Sequence, residues 1–261
     1  MIKFMFGGSF FKKLDEMFPN HQKLGDDLLK KKKYKEAIEH YEKALAIQQM
    51  NPYLHYNWAT CLFALGRYKE SLPHFRRAVQ LNPNFADALC HWGIALIHIN
   101  QPHQALSKFV KASYADPNDP KIYFHWGLLF EQLNKIEQAF EKYQKVLELT
   151  PVEQEDGKPK VNKFRIMALN QLAMNDLNQQ KYQEALNKYK EIVSLAPEFP
   201  PALYNLAISY ARLFQPDQAA KSLKLAIDQD LKAAKRARIE PAFKNILSHP
   251  ELKSYFPDQQ K

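Results

Sequence analysis

The feature that most constrains this chain is a pattern that returns every 34 residues. A small residue, a bulky one four later and a further apolar one three after that occur at Ala37/Tyr41/Ala44, Ser71/Phe75/Ala78, Ala105/Phe109/Ala112, Ala139/Tyr143/Val146, Ala185/Tyr189/Ile192 and Ala219/Leu223/Ala226. The first members are 34, 34, 34, 46 and 34 residues apart. Upstream in each unit stands an apolar-small pair: Leu24-Gly25, Trp58-Ala59, Trp92-Gly93, Trp126-Gly127, Leu172-Ala173 and Leu206-Ala207. Spacings of three and four place one apolar stripe on each of two helices per unit. Small residues at the eighth and twentieth positions let the two helices approach closely, and large neighbours fill the gaps. One pair buries only part of its apolar face, so successive pairs must stack.

The units run from Phe18 to Asn51, Pro52 to Phe85, Ala86 to Asp119, Pro120 to Glu153, Ile166 to Phe199 and Pro200 to about Ala233. Pro83, Pro117, Pro151 and Pro197 close four of them, where proline ends one helix and suits the start of the next. The order of apolar-small pair, Ala, aromatic and terminal Pro resembles the tetratricopeptide-repeat (TPR) family over residues 18 to about 233. The resemblance implies an all-α fold, a right-handed α-solenoid of about six helix pairs with a C-terminal capping helix. The chain then divides into an apolar amino-terminal helix or arm (1–17), four units (18–153), a polar insertion (154–165) that is a hinge or a lengthened helix, two units (166–233) and a cap (234–261). In the cap, Ile239, Phe243, Ile246 and Leu247 are expected to form one helical stripe. Pro73 is expected to kink the second helix of its unit mildly. The stretch from Glu240 to Leu252 is similar to the endings of many bacterial TPR proteins, which implies a bacterial source.

Composition removes several classes of function. The net charge is +9, but most of the basic runs at Lys30 to Lys33, Arg76-Arg77, Lys158 to Arg165 and Lys232 to Arg238 fall near connections and are not interleaved with aromatics as a stacking platform would require, so no nucleic-acid partner is expected. Cys61 and Cys90 have no CxxC spacing and suit a reducing compartment. No apolar run is long enough to span a membrane, and the start is too soon interrupted for a secretory signal, so a cytoplasmic protein is expected. No GxSxG, P-loop, GxGxxG or HExxH pattern occurs, so neither an enzyme nor a cofactor is expected. His91, His98 and His125 share a face, but no cysteine or carboxylate completes a metal set.

In the family, the first helix of each pair lines the ligand-facing surface, and the resemblance implies where contacts fall. Its sixth positions are Lys23, Asn57, His91, His125, Gln171 and Asn205, all able to hydrogen bond. Such a row is similar to the polar ladder with which some TPR proteins hold a peptide main chain, since a carboxamide offers a donor and an acceptor. Tyr56, Thr60, Cys90, Ile94, His98, Phe124, Asn170, Tyr204 and Arg212 lie around it, with Met174 and Ile208, as surfaces for specificity. The carboxylate clamp of chaperone-binding TPR domains is missing, because Gln22 and Asp26 replace its Lys and Asn. The expected function is a protein-protein interaction scaffold that holds an extended peptide or helix in its groove. In the amino-terminal segment Phe11, Leu14 and Phe18 follow helical spacing, with Phe4, Met5, Phe6 and Phe10 nearby and Lys3, Lys12 and Lys13 flanking; it is expected to cap the first repeat or to dock elsewhere, so the alternative is a self-assembling or membrane-associated scaffold, which leaves a homo-oligomer and membrane contact through residues 1–17 open.

Overall fold

The computed structural model describes residues 20–155 and 158–257, so the arm at 1–17 lies outside the described residues. Thirteen helices occur among the described residues. They form two compact units, one ending at Asn134 and the other beginning at Lys135.

The first unit contains α1 (His21–Lys30), α2 (Tyr34–Ile47), α3 (Pro52–Ala64), α4 (Tyr68–Leu81), α5 (Ala86–His98), α6 (Pro102–Ala115) and α7 (Pro120–Gln132). Consecutive helices pack as antiparallel neighbours, and the first helices α1, α3, α5 and α7 contact one another in sequence. Close approach rests on the small residues: a Cβ on Gly25 would lie 2.7 Å from Tyr41 Cε1, and one on Gly93 would lie 2.9 Å from Phe109 Cε1. Tyr41, Phe75 and Phe109 are fully buried in equivalent positions. Pro73 is accommodated inside α4, where it can donate no backbone hydrogen bond.

The second unit contains α8 (Ile136–Leu149), a hairpin of β1 (Glu153–Glu155) and β2 (Lys158–Lys160), α9 (Lys163–Asn178), α10 (Tyr182–Leu195), α11 (Pro200–Arg212), α12 (Pro216–Gln229) and α13 (Lys232–Ala237). The strands pair antiparallel, with Gln154 opposite Pro159. The insertion therefore builds a hairpin and also lengthens a helix: α9 has 16 residues where α11 has 13. Asn162 caps α9 by accepting the Phe164 N–H at 2.9 Å. Arg165 then ties the junction down, donating to the carbonyls of Leu147 (3.2 Å) and Thr150 (3.1 Å) and pairing with Glu191 at 2.8 Å.

The cap corrects the expected single helix. α13 is followed by two 3₁₀ turns, Pro241–Phe243 and Pro250–Leu252. Phe243, Ile246 and Leu247 are buried with Leu252 and Phe256, whereas Ile239 is 83% exposed and belongs to no stripe. Proline at 241 and 250 prevents one continuous helix, so the chain folds back over α11 and α12 in short turns.

The turns that follow α1, α3, α5, α7, α9 and α11 each carry a left-handed residue at the fifteenth position of the repeat: Lys32, Gly66, Asn100, Asn134, Gln180 and Phe214. In five of them the next N–H reaches back to close the helix, as in Gln215 N–H to the Tyr210 carbonyl at 3.0 Å. Phe214, at φ 56°, is a costly choice for this conformation.

Candidate functional site

In the first unit two of the predicted rungs, Asn57 and His91, are tied into the protein. Asn57 donates to Asp26 at 2.9 Å, and Asp26 also accepts the Tyr41 hydroxyl at 2.8 Å. Burial, then the bond to Asp26, pushes the Tyr41 phenol pKa upward, so it stays a donor. His91 Nδ1 lies 2.9 Å from the Asp87 carbonyl and 3.3 Å from the Tyr56 hydroxyl. Burial lowers the His91 pKa, and the Asp87 carbonyl opposes that only in part. Burial, then Asp87, raises the Tyr56 phenol to about 12. Thr60 donates to the Tyr56 carbonyl of its own helix at 2.9 Å. Lys121 bridges Asp87 and Asp119, and although its burial favours the neutral amine, those two carboxylates hold its pKa above the usual value.

His98 is exposed and stacks on Tyr68, with ring centres 4.2 Å apart and planes 3° from parallel; Phe63 meets it edge-on at 5.8 Å. Ile94 and His125 are half-buried and Lys23 is exposed. Two expected contacts are corrected. Cys90 is 0% exposed and Phe124 is 3% exposed, because these positions turn into the packing between neighbouring helices. Burial also raises the Cys90 thiol to about 12, which leaves it unreactive.

In the second unit the first-helix face holds an open groove. Met174, Leu177, Asn178, Tyr182, Asn205, Ile208, Arg212 and Glu240 line a recess of about 270 Å³. Tyr182 and Arg212 are shared with a larger cavity of about 660 Å³, lined also by Ala211, Phe214, Pro216, Pro241, Ala242, Asn245 and Ile246. Its walls come from the start of α10, the end of α11, the turn after it, the start of α12 and the cap. Arg212 lies 3.6 Å from Glu240, and Asn205 donates to the Tyr189 hydroxyl at 3.0 Å. Asn170 reaches the Met174 sulfur at 3.5 Å, and its own carbonyl oxygen is buried without a donor among the described residues. Gln171 is half-buried.

Tyr204 is a third correction. It is 8% exposed because the cap covers it: Phe243 meets its ring edge-on at 5.5 Å, and the Arg236 guanidinium lies over it at 4.7 Å. Burial, then the charge of Glu240, raises its phenol to about 12. Phe214, Tyr182 and the cap residues lie outside the first-helix positions at which contacts are expected from the repeat. The fifteenth position held the signal, with Lys, Gly, Asn, Asn and Gln in five units and Phe in the sixth. Among the described residues, no group of three or more His, Cys, Asp or Glu side chains is placed to hold a metal, and no helix is long and apolar enough to cross a membrane.

Tandem helix pairs whose first helices present a polar and apolar face, with a cap closing the last pair, define a helical-repeat protein-interaction scaffold. The chain belongs to the tetratricopeptide-repeat family: TPR repeat profiles match residues 25–59, 52–85, 120–153 and 176–239. No curated protein sequence matches the chain. Among solved structures it is similar to pilF of Pseudomonas aeruginosa, at 18% identity and a TM-score of 0.69 over 90% of this chain and 98% of that one. It is also similar to the C-terminal part of a TPR protein from Cytophaga hutchinsonii, at 18% identity and 0.64 over 92% and 99% of the two chains. A third is YrrB, a TPR protein with an unusual peptide-binding site, at 22% identity and 0.55 over 76% and 97%.

Proposed function

We propose that the chain is a binding scaffold whose partner segment sits in the groove of the second unit, with one apolar side chain of the partner in the cavity beside Phe214. The observation that carries this reading is Phe214 itself. It is an aromatic residue 93% exposed, held in a left-handed turn that disfavours it, at the rim of a cavity large enough for a bulky side chain. A residue chosen for folding alone would be glycine or asparagine there, as in three of the other turns. Asn178 and Arg212 supply polar contacts beside the apolar floor of Met174, Leu177 and Ile208, an arrangement suited to holding a main chain while the cavity selects a side chain. YrrB, a similar fold with a peptide-binding site, supports a peptide as the guest.

Peptides selected from a random phage-displayed library on the purified chain test the reading. Met174→Lys with Ile208→Lys is expected to weaken the selected peptides at least tenfold with unchanged helicity, while Phe63→Ala in the first unit leaves them unaffected. Equal binding by the double variant would remove the groove from the reading.

A further inference from the structure

The first repeat holds two histidines in a geometry that its fold does not require. His21 opens α1 and His40 lies on α2, and their Nδ1 atoms are 3.0 Å apart with ring centres at 5.2 Å. Both rings are half-buried, so solvent reaches them. The arrangement recurs 34 residues later, where His55 and His74 occupy the same repeat positions with ring centres 5.9 Å apart. There the His55 Nδ1 is buried, which closes that pair to an ion from solvent. In the third repeat the same two positions are Leu89 and Lys108, so the repeat packs well without histidine.

We propose that His21 and His40 form a two-imidazole site for a divalent transition ion of the Ni²⁺ or Cu²⁺ kind. Two nitrogens each about 2.0–2.1 Å from one ion and at right angles to each other stand about 2.9 Å apart, whereas a tetrahedral ion would set them about 3.4 Å apart. The observed separation fits adjacent corners of a square-planar or octahedral ion, the geometry of Cu²⁺ and Ni²⁺ with nitrogen and oxygen ligands. Water fills the remaining positions. In the metal-free pair one ring donates its Nδ1 proton to the other; on binding, that ring carries its proton on Nε2 instead, passed through solvent, so no proton is lost overall. Lys43, three residues after His40 on α2, repels the ion and limits its affinity.

The test is calorimetric titration of NiCl₂, and separately of CuCl₂, into the tag-free, EDTA-treated full chain. One ion per chain is expected. His21→Ala and His40→Ala each weaken it at least tenfold, while His55→Ala and His103→Ala leave it unchanged. Lys43→Glu, which removes the repulsion and places a carboxylate beside His40, is expected to tighten binding about tenfold, a gain that misfolding cannot imitate. Cu²⁺ resonance spectra should show two nitrogen ligands. Absence of binding, binding that survives both alanine variants, or no gain with Lys43→Glu overturns the site.

Discussion

His74 shows how a single side chain couples packing to pH. It lies against Trp58 with ring centres 4.2 Å apart, and burial, then the neighbouring His55, lowers its pKa to about 4. A histidine whose folded pKa lies below its unfolded value takes up its proton more readily in the unfolded chain. Stability is therefore full above about pH 6.5 and falls as the pH drops toward 4. The whole shift corresponds to roughly 3.4 kcal/mol, but stacking of a cationic ring on Trp58 and partial solvent access work the other way, so about 2 kcal/mol is expected. Urea midpoints at pH 7 and pH 4.5 check this: His74→Gln should lose about 2 kcal/mol less than the parent between the two, and equal losses would refute the assignment. At this scale the sequence showed that Tyr41, Phe75 and Phe109 face the core, because helical spacing fixes direction around an axis. It could not show that Cys90 and Phe124 are buried, since exposure at the edge of a stripe depends on how near the next helix comes.

Among the elements, the six equivalent turns offer an internal comparison. A left-handed turn residue costs about 1 kcal/mol or more when it carries a bulky side chain, and glycine relieves that at some expense in unfolded-state entropy. Phe214→Gly is therefore expected to stabilise the chain by about 0.5–1 kcal/mol while weakening a groove-bound peptide at least tenfold. Opposite signs in thermal melting and in peptide titration separate a residue kept for binding from one kept for folding. Parallel losses in both would place Phe214 in the fold alone. The insertion teaches a related lesson. Its polar composition signalled an interruption of the repeat, but its hairpin, and Arg165 bonded to Leu147, Thr150 and Glu191, depend on partners up to 26 residues away.

For the molecule, the end of the array is the decisive place. Phe243, Leu252 and Phe256 are fully buried against Leu223, Ala226 and Ile227, so the cap covers the apolar side of the last pair. Ending the chain after Leu231 should uncover that surface, with loss of amide protection in α11 and α12 and self-association on gel filtration. Unchanged protection would show that the last pair needs no cover. The sequence by itself determined the repeat, its period, the helix faces and the need for a cap, because these follow from local periodicity and from apolar surface that one pair cannot bury alone. Tertiary structure decided the route of the cap, which rungs are already bonded to the protein and where the open cavity lies. Those depend on distances between residues far apart in the chain, set by packing, which no local pattern encodes.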